Sequence, residues 1–164
     1  MLIPTDKIFT TSFKDPKPNT LQLALGRHST LFWVIPAPKG PVASFLSGQY
    51  AGHGFVISEG TDWTGVGIGP VEVRIAPSSA HDGRELPAWQ LRAADGQLAV
   101  QVTMKGPHNF DETFWIDVQE LETISNVTAY FSRWSIGLEV DGEWTELIAA
   151  SEGQLSGSML PQSQ

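Results

Sequence analysis

Pro87 to Met104 reads PAWQLRAADGQLAVQVTM, and this stretch decides the fold class. Asp95-Gly96 supplies the two positive-φ residues that a type I′ turn requires. A two-residue loop sets Ala94 against Gln97. Pairing then runs outward through Ala93 with Leu98, Leu91 with Val100 and Trp89 with Val102, all apolar and all on one face. The opposite face carries Arg92 with Ala99, Gln90 with Gln101 and Ala88 with Thr103. A slip of one residue would set Trp89 and Leu91 among the polar set, so the register is well specified. The stretch reads as a half-buried antiparallel hairpin.

The rest of the chain agrees with a β reading. Among 164 residues, Gly and Pro number 16 and 11, and charged residues make up only 17%. Few charges, many turn formers and abundant Trp, Phe, Val and Thr favour strands over helices. Thr20–Leu25 alternates Leu21, Leu23 and Leu25 against Gln22 and Ala24, as one buried face requires. Thr30–Ile35 is apolar on both faces, which suits a central strand. Residues 7–14 and 54–58 read as strands, while 42–50 fits a short strand or a helical turn.

Gly65–Ala76 (GVGIGPVEVRIA) reads as one element whose phase changes at Gly69-Pro70, the mark of a bulge or bend. Its strip of glycines predicts a close neighbour on that face: another backbone, a ring or a ligand. Residues 109–124 fit either a helix, with Asn109 and Glu112 at capping-box spacing, or a strand alternating at Phe114, Ile116 and Val118. The balance leans slightly to a short helix over part of it. Residues 127–150 form a second hairpin around Asp141-Gly142, pairing Leu138 with Thr145, Ile136 with Leu147 and Trp134 with Ala149.

The expected architecture is a single-domain, mainly β protein over residues 1–150. It is an antiparallel β-sandwich or partly closed barrel with at most one or two short helices. Residues 151–164 lack periodicity and read as a flexible C-terminal tail.

There is no cysteine, so disulfides and thiolate chemistry are excluded. No signal-peptide pattern opens the sequence and no apolar run reaches membrane-spanning length, which makes a soluble, cytoplasmic protein the default expectation. The net charge of −8 is uneven. Residues 1–105 carry nine basic and eight acidic side chains, while 106–164 carry ten acids and one base, Arg133. Such a surface repels nucleic-acid phosphates and anionic lipid, so neither is an expected partner. It reads as a solubilising face or as a docking face for a cationic partner.

Candidate chemistry is sparse. His28, His53, His81 and His108 fall in expected loops, with none at metal-ligand spacing to another. No nucleophile elbow is present. Gly65-Val66-Gly67-Ile68-Gly69 lacks the spacing and the Lys of a phosphate loop. Asn126-Val127-Thr128 matches the glycosylation acceptor pattern, a three-residue match that chance explains better. No cofactor or metal is indicated, and an enzyme is the less favoured class.

The six tryptophans are more suggestive. Trp33, Trp89 and Trp134 fit core faces. Trp63 sits in a Gly-rich loop, Trp115 opposes the apolar set of its segment, and Trp144 lies beside a tight turn among acids. Two function classes follow. The first is a non-catalytic recognition domain binding a carbohydrate or small apolar ligand over Trp63, with Tyr50, His53 and Trp115 at the rim. The second is a protein-interaction or assembly component, such as an inhibitor or a phage- or secretion-associated subunit. Its acidic C-terminal half would dock a cationic partner through Glu143, Trp144 and Glu146.

Overall fold

Alternating apolar and polar side chains carry most of this chain into short antiparallel strands. The computed structural model describes residues 2–12, 14–15, 17–25, 29–35, 40–48, 51, 54–57, 64–81, 91–94, 97–105, 111–117, 123–124, 129–151 and 154–160. In chain order the strands are β1 (Ile8–Ser12), β2 (Thr20–Ala24), β3 (Thr30–Ile35), β4 (Val42–Phe45), β5 (Gly54–Val56), β6 (Thr64–Ile68), β7 (Glu72–Ile75) and β8 (Ala80–His81). They continue with β9 (Leu91–Ala94), β10 (Gln97–Lys105), β11 (Asp111–Asp117), β12 (Thr123–Ile124), β13 (Ala129–Phe131), β14 (Trp134–Val140), β15 (Glu143–Ser151) and β16 (Gln154–Ser156). Among the described residues the only helical pieces are two 3-10 turns, Thr5–Lys7 and Pro77–Ser79.

Three antiparallel sheets result. The first runs β1-β6-β2-β3-β4-β5, the second β12-β11-β10-β9-β13-β8 and the third β16-β15-β14-β7. The first and third share the main core, so the architecture is sandwich-like. Leu21, Leu31, Trp33, Ile35, Val42 and Ile68 of the first meet Trp134, Ile136, Leu138, Leu147 and Ile148 of the third. Phe131 of the second sheet joins them. The far face of the first sheet buries Phe32, Val34 and Ala43, with Phe45 packed alongside, so β3 is covered on both sides as its sequence required.

The 87–104 hairpin keeps its expected register where it is described: Ala94 faces Gln97, Ala93 faces Leu98, Arg92 faces Ala99 and Leu91 faces Val100. Its turn and residues 87–90 lie outside the described residues. Asp141 and Gly142 both take positive φ, +53° and +80°, as a two-residue Asp-Gly turn demands.

Several expectations need correction. Residues 111–117, read as leaning helical, form β11 alongside β10, with Val100 facing Ile116 and Val102 facing Phe114. Thr113, Phe114, Trp115 and Ile116 are strong strand formers, and the exposed edge of β10 offers them a complete ladder. Gly65–Ala76 is two strands in two sheets, joined across a cis Gly69-Pro70 bond. The glycine strip does have its close neighbour: a Cβ at Gly67 would collide with the Phe9 ring. β2 is buried on both faces, with neighbouring Leu21 and Gln22 at 0% and 1% exposure, and Leu25, expected on the buried face, lies beyond the strand and is 59% exposed. His81, placed in a loop by the sequence reading, lies in β8 opposite Tyr130.

The Gln22 side chain is held in a polar network. Thr11 donates to Gln22 Oε1 at 3.2 Å, and Gln22 Nε2 donates to Thr20 Oγ1 at 2.9 Å.

The second hairpin keeps Leu138 with Thr145 but slips above it. Ile136 faces Ile148 and Trp134 faces Ala150, because a β-bulge interrupts the ladder at Ile136/Gly137. The extra residue is Leu147. Leu147 and Ile148 are therefore both fully buried, although neighbours on a regular strand point to opposite faces. The expected tail also differs: β16 pairs with β15, and Leu155, Met159 and Leu160 pack against the main core.

Candidate functional site

The outer face of the third sheet concentrates the charged and aromatic groups that the described residues leave at the surface. Register places Glu72 beside Gly137 and Glu146 in one cross-strand row. Arg74, Ser135, Ala149 and Ser156 form the next row. At the turn end, Glu139 stands opposite Trp144. The inward residues of the same strands, Val73, Ile75, Ile136 and Leu138, enter the core.

Trp144 is half-buried and its ring lies over Gly137. A Cβ there would sit 2.7 Å from Trp144 Cζ2 and would also strike the Thr145 carbonyl oxygen. Glycine is required by this close approach, not by its φ. Above the ring lies Arg74, with its guanidinium carbon 3.9 Å from the ring centroid. Arg74 Nη2 also donates to Glu139 Oε1 at 3.2 Å. Both side chains are about half exposed, so the ion pair itself contributes only tenths of a kcal/mol; its role is to orient the guanidinium. On the same face Glu72 and Glu146 are exposed, and Asp141 and Glu143 are exposed at the turn itself, so acids outnumber bases at the turn end.

At the other end of the same face the chemistry reverses. Arg133 is exposed and its Nη2 donates to Ser78 Oγ at 2.9 Å. Its backbone is pinned from both sides. Arg133 N donates to Ser79 Oγ at 3.1 Å, and Arg133 O accepts from Ala76 N at 3.0 Å. The Pro77–Ser79 turn therefore fixes where this arginine stands. Between the two ends lies an open trough of about 320 Å³. Its lining includes the small residues Ser135, Ala149 and Ser151, the apolar Ile75 and Trp134, and the charged Arg74, Arg133 and Glu146.

The sequence-derived site residues fall unevenly. Trp63, Tyr50 and His53 lie outside the described residues, as do His28 and His108. Trp115 lies in β11, with its backbone opposite Gln101 on one side and Ile124 on the other. Glu143, Trp144 and Glu146 lie together on β15, with Trp144 and Glu146 on the outer face and Glu143 beside the turn. Sequence reasoning missed Arg74, Glu139 and the trough. The signal for Arg74 was present in Glu72-Val73-Arg74-Ile75, where charged and apolar residues alternate. Among the described residues, no group of three or more His, Asp or Glu could hold a metal ion. No helix among them is long and apolar enough to cross a membrane.

A family model described as "Uncharacterised protein y4lG" matches residues 11–154. An "Uncharacterized protein y4lG" of Sinorhizobium fredii (strain NBRC 101917 / NGR234) is 28% identical over 123 residues, covering 73% of this chain and 74% of that protein. No solved structure matches.

Proposed function

The chain belongs to the Y4lG family, and from that premise we propose that it is a non-catalytic interaction component that docks a cationic protein partner on the outer face of its third sheet. The observation that carries this reading is the half-buried Trp144 ring, held between Gly137 and the exposed Arg74 guanidinium and bordered by exposed carboxylates. Aromatic anchors inside a ring of like charge suit a partner that presents lysine or arginine. Glu72, Glu143 and Glu146 make no salt bridge among the described residues, so their charge is available to a partner at no internal cost.

The test is calorimetric titration with a Lys/Arg-rich peptide at low and moderate salt. Binding that weakens as salt rises is expected. The triple variant Glu72→Gln/Glu143→Gln/Glu146→Gln, which breaks no described ion pair, should lower affinity about tenfold. Unchanged binding by that variant overturns the reading. A response to neutral sugars with none to the peptide would favour the carbohydrate-binding alternative over Trp63, Tyr50, His53 and Trp115.

A further inference from the structure

The trough has Arg133 at one end and Glu146 at the other, while the third charged group of its lining, Arg74, is already paired with Glu139; this polarity restricts what can lie in it. We propose that it receives an extended segment of the partner in which a basic and an acidic residue stand four positions apart, the base toward Glu146 and the acid toward Arg133. The inference rests on the docking reading above and specifies the ligand of the same face.

The argument is one of register. Arg133 immediately precedes β14 and stands four residues before Gly137, which faces Glu146. Extended chain rises about 3.4 Å per residue, so the two ends stand roughly 14 Å apart along the strands. A second extended chain lying parallel to them spans that distance in four residues. Even spacing then points both of its charges to the same face. An α-helix covers only about 6 Å in four residues and cannot satisfy both ends with that spacing. The lining supports the same occupant. Ser135, Ala149 and Ser151 are small enough for a main chain to come close, and the two serines bring hydroxyls for its polar groups.

Arg133 is the informative end. It forms no salt bridge among the described residues, and its one described side-chain partner is a neutral hydroxyl. A carboxylate can take a guanidinium held in this way through two parallel hydrogen bonds.

Fluorescence polarisation with labelled nine-residue peptides tests this. The first peptide carries Lys at its third position and Asp at its seventh. In the second the Asp is Ser, and in the third the Asp is moved to position eight, on the opposite face. The first should bind about fivefold more tightly than either of the others. Arg133→Gln should erase that advantage, bringing the first and second peptides to equal affinity. Arg133→Glu should shift preference to a peptide with Lys at both positions, a gain that a merely damaged fold would not show. Equal binding of the first and second peptides to the unaltered protein overturns the trough assignment while leaving the docking reading in place. No binding of any peptide overturns both.

Discussion

The protein uses one packing device twice, and the two copies serve different ends. In the first sheet the Phe9 ring lies on Gly67, with Lys17 Nζ 4.5 Å from the ring centroid. In the third sheet Trp144 lies on Gly137, with Arg74 above it. Both are glycine–aromatic–cation stacks on a sheet face. What surrounds them differs. Phe9 stands directly opposite Gly67 in the ladder, and Gly67 also pairs with the buried Gln22. Trp144 reaches diagonally to Gly137 from two residues along and stands among exposed acids. The first copy closes over a buried polar network and serves the fold. The second leaves its ring half-buried at the surface beneath Arg74, on the face proposed to meet a partner. The stack sets ring orientation in both places, and the neighbouring charges decide its use.

That contrast can be broken experimentally. The largest effect is expected at Gly137. An added methyl meets the fixed Thr145 carbonyl as well as the ring. Gly137→Ala should cost about 2–3 kcal/mol, read as a lowered denaturation midpoint. The nearest atoms that Gly67→Ala meets all belong to the Phe9 side chain, and the change should cost about 1 kcal/mol. Equal losses at the two glycines would erase the distinction drawn between them.

A loss between those two is expected from removing the polar side chain beside the first stack. Gln22→Ala strips Thr11 and Thr20 of their buried partner and should cost about 2 kcal/mol in urea unfolding. The same variant should leave peptide binding to the third sheet untouched. Impaired binding would mean that the two stacks do not act separately.

The smallest effect is expected at the cations. Arg74→Gln should change stability by about 0.5 kcal/mol, because its ion pair and ring contact are half exposed. It should nonetheless strengthen binding of a cationic peptide, since Arg74 occupies the ring face such a peptide would approach. A loss of stability several times larger would mark the second stack as structural too.

Much of the fold was legible in advance because strand pairing near a tight turn is local. Asp141-Gly142 and the residues of 91–100 announced their partners within a few positions. The glycine strip announced a close neighbour without saying which, and Phe9 answers from far along the chain. Residues 111–117 misled because Asn109 and Glu112 stand at capping-box spacing, a local helix signal that the strand alternation of Phe114, Ile116 and Val118 does not outweigh. Only the open edge of β10, a tertiary feature, tips such a segment into a strand. At the candidate site, Glu143, Trp144 and Glu146 drew attention through charge and aromaticity. Arg74 and Glu139 did not, because their association joins residues 65 positions apart. The trough was hidden for a further reason: an uninterrupted ladder would turn Ile148 outward and Ala149 into the core.

The bulge at Leu147 therefore does more than disturb a register. It divides β15 into two segments with opposite rules of substitution. Before it, the even-numbered Trp144 and Glu146 face solvent; after it, the odd-numbered Ala149 and Ser151 do. A charge, a label or a cross-linker introduced at 144, 146, 149 or 151 would be borne by the surface, and the same group at 147, 148 or 150 would fall in the core. Any mutational scan of this strand should thus show its pattern of tolerance invert midway. The position of that inversion would locate the extra residue in solution without a structure determination.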